Sequence, residues 1–193
     1  MVTSRQIIDI ESLPSGFPTH RHSAQFLEAL GRAVATFGFL EEVLGKAIFS
    51  FSAMRPYPED VIAAAYSKWL PTLERALSDQ LGGLIDSYGK AVRDHGEATI
   101  ENLPELLEDL REASTVRNVI CHGSWGVPNE TGHSIPFFVN RKIEKFETPV
   151  DIVFLDQLQR HTTELACAVM NTVTHMGWQF PGSSGPGEPI LIR

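Results

Sequence analysis

A mostly α-helical bundle with one small β-hairpin ahead of its last helix is the fold class this sequence predicts, and three observations carry it. From Ala24 to about Phe51, apolar residues recur in seven-residue columns: Leu30, Phe37, Leu44 and Phe51 beside Phe26, Ala33, Leu40 and Ala47. That is the alternating three-and-four spacing of a packed helix seam. Pro58, Pro71, Pro104 and Pro149 each stand where a further apolar-periodic stretch begins, and proline suits a first helical turn, whose N–H groups have no intrahelical partner. Between residues 123 and 147 the texture changes to a glycine-rich loop and alternating apolar residues, which reads as hairpin.

Residues 1–20 form an N-terminal arm, in which Gln6 to Ile10 reads as a short strand or a packed arm before Pro14, Gly16 and Pro18 break the chain. Ser23 is placed to cap the long helix that follows. Along that helix a column of small residues, Ala24, Gly31, Gly38, Gly45 and Ser52, predicts that another helix crosses closely, since each interior glycine costs about 1 kcal/mol against alanine. The next helix is expected from Pro58 to about Trp69, and a third from Pro71 to about Val92 with a stripe of Leu73, Leu77, Leu81, Leu84 and Tyr88. Gly82-Gly83 is read as a bend in the third, and His95 as a surface residue at its exit. A fourth helix spans Pro104 to His122. The hairpin pairs residues 134–139 with 143–147 around Asn140, Arg141 and Lys142. Thr148-Pro149-Val150-Asp151 reads as the start of the last helix, which runs to about Met176. Residues 178–193 read as an extended tail rich in proline and glycine.

With 193 residues and 42% hydrophobic content the chain suits one compact domain. No apolar run reaches the ~18 residues that a membrane-spanning helix needs. The N-terminus lacks a signal peptide's basic-then-apolar layout, so a cytoplasmic protein is expected. Two cysteines, Cys121 and Cys167, are too few for a disulfide framework. A net charge of −8 argues against a broad nucleic-acid-coating surface but leaves room for a small basic pocket. No cofactor is expected: Gly82-Gly83 lacks the spacing of a phosphate loop. His20 and His22 have no further close ligand for a metal.

The most reactive side chains are concentrated at the end of the fourth helix, in Arg117-Asn118-Val119-Ile120-Cys121-His122-Gly123, followed by Ser124 and Trp125. Arg117 is permanently cationic and suits phosphate oxygens. His122 is the kind of side chain that moves a proton near neutral pH. Gly123 stands where a left-handed helix stop is expected. At about 100° per residue the two side chains leave the helix roughly 140° apart, yet both border the same helix end. Ser114, Asn118 and His122 add a polar stripe at spacing four. Glu41, at the edge of the long helix's apolar face, either reaches solvent or meets a cation, and Arg117 is the candidate. Arg117 and His122 could equally cap the helix's last carbonyls. Adjacent residues diverge on a helix, so Cys121 and His122 do not make a thiolate–imidazole pair.

An Arg, a polar residue after it and a His five places on, near a helix end in an all-helical domain, resembles the signature of the HEPN superfamily. The resemblance implies an up-and-down helical bundle and a metal-independent endoribonuclease that works as a homodimer, in a toxin or antiviral-defence setting. It also admits an antitoxin or regulatory protein as partner. Under it, Arg117, His122, Asn118 and Glu41 would be catalytic. Arg117 would stabilise charge on the phosphate, His122 would move the proton, Asn118 would orient either group and Glu41 would position Arg117. Ser114, Ser124 and Trp125 would border the substrate and the dimer contact. Arg141, Lys142 and Lys145, the concentrated basic patch, would meet RNA phosphates; the same cations also fit a plain solvated hairpin tip. The other class of function that the resemblance admits is a catalytically silent helical dimer that binds a nucleotide or a protein partner.

Overall fold

A computed structural model describes residues 7–53 and 58–183. The described residues form five α-helices, α1 Ala24–Ala53, α2 Ile62–Ser78, α3 Leu81–Asp94, α4 Leu103–His122 and α5 Ile152–His175, with two short strands, β1 Ser124–Trp125 and β2 Pro136–Phe137, between α4 and α5. The bundle with a small hairpin before its last helix is therefore what the chain builds.

Helix α1 is the centre. It packs most extensively against α5 and also against α3, α2 and α4. Both of its seven-residue columns point inward, with Phe26, Ala33, Phe37, Leu40, Leu44, Ala47 and Phe51 all buried. Ser23 caps it: Phe26 N donates to Ser23 Oγ at 3.1 Å. Leu84, Tyr88, Leu110, Leu158, Leu165 and Val169 close the same core from α3, α4 and α5. Inside it Tyr88 Oη and Thr172 Oγ1 share a hydrogen bond of 2.8 Å, and burial pushes the phenol up to about 12 despite that bond.

The small-residue column meets a neighbour over only part of its length. Gly45 faces the Ala76 carbonyl of α2, where an added Cβ would sit 3.0 Å from the oxygen, and Trp69 Nε1 donates to Ser52 Oγ at 2.8 Å. Among the described residues an added Cβ at Gly31 or Gly38 would meet nothing within 4 Å, so none of them makes the close crossing expected there. α2 lies along the C-terminal end of α1 and does not extend so far.

Several boundaries differ from expectation. α2 runs through Pro71, and the break falls at Asp79–Gln80. Proline removes one helical hydrogen bond, and α2 buries only Ala76, so little packing registers the loss. The Leu73–Tyr88 stripe is accordingly not continuous. Leu81, Leu84 and Tyr88 are buried, whereas Leu77, on the far side of the break, is 80% exposed. Gly82-Gly83 opens α3 instead of bending it. α5 is capped by Asp151, whose side chain accepts from Phe154 N at 2.7 Å, not by Thr148, because Val150 stays extended to bridge Ser134. His95 is 6% exposed, its ring against Phe51 and Trp178. Trp178 and the buried Phe180 thus continue the core past the end of α5, so residues 178–183 are not free tail; the remainder of that tail, and residues 1–6, lie outside the described residues. Ile7, Ile8 and Ile10 are exposed, and Ile10 opens a single 3₁₀ turn, which is neither a strand nor a packed arm.

The hairpin is also re-partnered. β2 pairs antiparallel with β1, Ser124 opposite Phe137 and Trp125 opposite Pro136. The expected partner, residues 143–147, touches it through one bridge, Val139 to Lys145. A tight turn held by Asn140 Oδ1, which accepts from Lys142 N and Glu144 N, sits between them, with Ile143 at a φ of 65°.

Candidate functional site

α4 ends because Gly123 leaves the helix in an extended conformation, φ −70° and ψ 141°, while its N–H still bonds the Val119 carbonyl at 2.8 Å. The left-handed stop expected of this glycine is not used. Glycine is required here for space: a Cβ would lie 2.5 Å from Val119 O and 2.8 Å from Pro136 Cβ. The chain thus passes directly from the last turn of α4 into β1, and β2 is pressed against that turn.

Over this corner the four residues read as catalytic come together. Arg117 Nη1 lies 3.4 Å from His122 Nε2 and 3.4 Å from Asn118 Oδ1. Its other terminal nitrogen, Nη2, lies 3.2 Å from Glu41 Oε1, reached across from α1. The 140° between the Cα–Cβ directions of Arg117 and His122 does not keep them apart, since the long Arg side chain bends back over the last turn. The Arg117 and Glu41 side chains are 21% and 28% exposed, so the guanidinium is anchored on one side and open on the other. Arginine only donates, so its contact with His122 is a hydrogen bond only when Nε2 carries a lone pair and the ring proton is on Nδ1. The cluster therefore sets an imidazole beside a guanidinium whose open edge suits an anion.

Cys121 lies at the rim of the same group. Burial pushes its thiol up, the Arg117 charge pulls it down and the Glu41 charge pushes it up again, with burial the largest of the three. The net upward shift keeps it protonated, which leaves His122 and not Cys121 as the reactive neighbour of Arg117.

The other residues read as site residues divide. Ser114 is half-buried, one turn before Asn118 on α4. Ser124 is exposed, two residues beyond His122. Trp125 points the other way: its ring packs edge-on against Phe26 at 5.3 Å and His22 at 6.4 Å. It anchors the hairpin to α1. Arg141, Lys142 and Lys145 are exposed on the turn beyond β2. No direct contact joins these three to the Arg117 cluster.

Sequence reasoning missed two neighbours. His22 stacks on Phe26 at 4.9 Å, and its Nε2 lies 3.3 Å from Ser134 Oγ, which itself donates to the Gly126 carbonyl at 2.8 Å. No periodicity linked His22 to a loop more than a hundred residues away. Phe137 is the second: it stands opposite Ser124 in the sheet and is exposed, and the hairpin expected from the sequence paired its strand with another partner.

A groove of about 800 Å³ runs between the start of α4 and α5, lined by Glu101, Glu105, Asp109, Glu164, His161 and His175 among others. Its carboxylates repel phosphate, and it lies at the opposite end of α4 from Arg117, so it is no part of this cluster. Among the described residues no helix is long and apolar enough to cross a membrane.

Fold and site thus define a helical bundle that carries one braced Arg–His pair at a helix end. No family model, no curated protein and no solved structure matches the chain.

Proposed function

We propose that this chain is a HEPN-like, metal-independent endoribonuclease of toxin or antiviral-defence type that acts as a homodimer. The observation that carries the reading is the single guanidinium of Arg117 held between Glu41 Oε1 at 3.2 Å and His122 Nε2 at 3.4 Å. RNA supplies its own nucleophile. The 2′-oxygen attacks the adjacent phosphorus, the bond from phosphorus to the 5′-oxygen breaks, and the products are a 2′,3′-cyclic phosphate and a 5′-hydroxyl. His122 Nε2 takes the 2′ proton, and the same imidazole of the second copy in the dimer gives one to the departing 5′-oxygen. Arg117 turns its open edge from His122 to the non-bridging oxygens, whose charge grows in the transition state. Glu41 keeps the guanidinium from following the phosphate out of the site, and Asn118 Oδ1 fixes its plane. An arriving phosphate therefore frees the lone pair of His122 at the moment it brings the 2′-hydroxyl.

The test is cleavage of a labelled single-stranded RNA in EDTA, with the cyclic phosphate identified on the product. Arg117→Ala and His122→Ala are each expected to lower the rate by at least about 100-fold with the circular dichroism spectrum unchanged. An absolute metal requirement, or wild-type rates in both variants, rejects the reading. A net charge of −8 favours the second reading, a silent dimer that binds a nucleotide or a protein partner; saturable nucleotide binding without turnover would select it.

A further inference from the structure

The two-stranded sheet has two unlike faces. Trp125 and Pro136 point into the protein: Pro136 is buried, and Trp125 packs on Phe26. Their neighbours alternate outward. Ser124 and Phe137 are cross-strand partners, so their side chains rise on the same side of the sheet. Ile135 and Val139, two residues either side of Phe137, follow it outward along the extended chain, and all three are exposed. Phe137 is 68% exposed, which is unusual for a ring on a strand that packs its other face so closely. Phe137, in the middle of this row, stands opposite Ser124, two residues from His122, and past Val139 the chain enters the turn carrying Arg141, Lys142 and Lys145.

The charges flanking the row say what fits it. In a chain of net charge −8, the antiparallel register turns the Val139 end of the row toward the end of α4 that carries Arg117, and the same end leads into the three exposed cations of the turn. Of the two carboxylates on the turn, Glu144 is engaged by Asn140 Nδ2 at 2.7 Å, and Glu147 lies beyond it. A ligand with apolar flat faces and a repeating negative backbone satisfies both features, and single-stranded RNA has both. Duplex RNA does not, because its base faces are already stacked.

We infer that the outer face of the β1–β2 sheet is a base-stacking platform for the RNA strand, with Phe137 stacked on an unpaired nucleobase next to the phosphate held by Arg117. The inference rests on the ribonuclease reading and specifies its substrate class: unpaired RNA, with no base identity read by hydrogen bonds. Phe137 binds and positions; it takes no part in the proton transfer. Val139 and Ile135 extend the contact to the flanking base, and Arg141, Lys142 and Lys145 hold the phosphates beyond it.

The experiment uses the full chain in three backgrounds: wild type, Phe137→Ala and Phe137→Trp. Cleavage of a fluorescein-labelled, unstructured 12-nucleotide RNA is followed, and affinity for the same RNA is measured with each 137 residue in the His122→Ala background. Phe137→Ala should weaken binding about 5- to 100-fold, the range for losing one stacked base, and raise KM more than it lowers kcat. Phe137→Trp should bind within about threefold of wild type, with its indole fluorescence quenched on binding. A fully paired duplex of the same sequence should bind all three proteins equally weakly. If wild type cleaves the RNA and Phe137→Ala does so with unchanged KM and affinity, the platform is wrong and the ribonuclease reading stands. If wild type neither binds nor cleaves, both fall. A shift of Phe137→Ala from dimer to monomer in sedimentation assigns this face to self-association, which also overturns the platform.

Discussion

Gly123→Ala tests the corner on which the whole site is built. The backbone there is one any residue adopts, φ −70° and ψ 141°, so conformational strain contributes nothing and the penalty is steric. The new methyl would stand 2.5 Å from the Val119 carbonyl and 2.8 Å from Pro136 Cβ, both far inside contact distance. Neither neighbour yields easily: the carbonyl is fixed in the last turn of α4, and the proline ring is buried between β1 and the helix. The Gly123 N–H bond to Val119 must lengthen, or the sheet must move off α4 by a fraction of an ångström to one ångström. Overpacking of this kind costs about 1–3 kcal/mol. With a urea m-value of about 2 kcal/mol/M, the midpoint should fall by about 0.5–1.5 M. Gly31→Ala is the control, because an added Cβ there meets nothing within 4 Å; it should raise stability by about 0.5–1 kcal/mol through helix propensity alone. Circular dichroism at 222 nm reads both. The cleavage rate of Gly123→Ala, measured where the protein is fully folded, should fall as well, since His122 is the residue before the displaced one. An unchanged or raised midpoint for Gly123→Ala would show that the sheet is not pressed on the helix end as described, and the link between hairpin and site would go with it.

Glu41→Gln removes the charge that holds Arg117 and keeps most of the shape. Stability should fall by about 1 kcal/mol, because the pair is only partly buried and the amide oxygen still accepts from Arg117, while kcat falls about tenfold with KM within twofold; a change in KM alone would make Glu41 a binding residue and not a positioning one. Tyr88 sets the alkaline limit. Its phenol ionises near 10 when unfolded and is raised to about 12 in the fold. The stabilisation it contributes is therefore fully present below about pH 10 and lost as pH rises from 10 to 12, on the order of 3 kcal/mol in all. Urea midpoints of wild type and Tyr88→Phe should converge across that window, and parallel curves would remove Tyr88 from the account.

What was legible in the sequence follows from which residues carry local information. The α1 columns, the Ser23 cap and the Pro104 start are set by neighbours within one or two helical turns, and they stand as read. Glu41 was legible as an edge carboxylate from the same periodicity, and Arg117 meets it. Features that depend on distant partners were not legible. Val150 stays extended because of Ser134, which moves the start of α5 three residues on. His95 is buried because Trp178 folds back over it, and a proline-rich stretch gives no hint of that. The α2–α3 boundary moved because Pro71 sits in a helix that buries almost nothing, where a missing hydrogen bond has little consequence. The Arg117–His122 contact was hidden for a simpler reason. Helical angles describe where Cβ points, and an arginine's terminal nitrogens lie several bonds further out.

That contact changes what a second copy of the chain has to supply. A splayed pair would need the partner to complete it, but here cation and base already meet within one chain. What the described residues do not bring to Arg117 is a second imidazole. Transphosphorylation takes a proton from the 2′-oxygen and gives one to the departing 5′-oxygen, and in a single step one imidazole cannot do both. His122 is the imidazole in contact with Arg117 among the described residues, so the partner's copy of the cluster, across a twofold axis at the end of α4, is the source the homodimer proposal requires. The requirement has a numerical signature. Wild type is mixed with the Arg117→Ala/His122→Ala double variant at constant total protein and allowed to exchange subunits. If each site needs both chains, activity follows the square of the wild-type fraction, and an equal mixture keeps about a quarter of it. If each chain works alone, the same mixture keeps about half. Mixing the two single variants should restore nothing, because no chain then holds an intact Arg–His pair. A linear dilution curve, or a monomer at micromolar concentration by sedimentation, would leave His122 to serve both protons in turn and would remove the twofold axis from the mechanism.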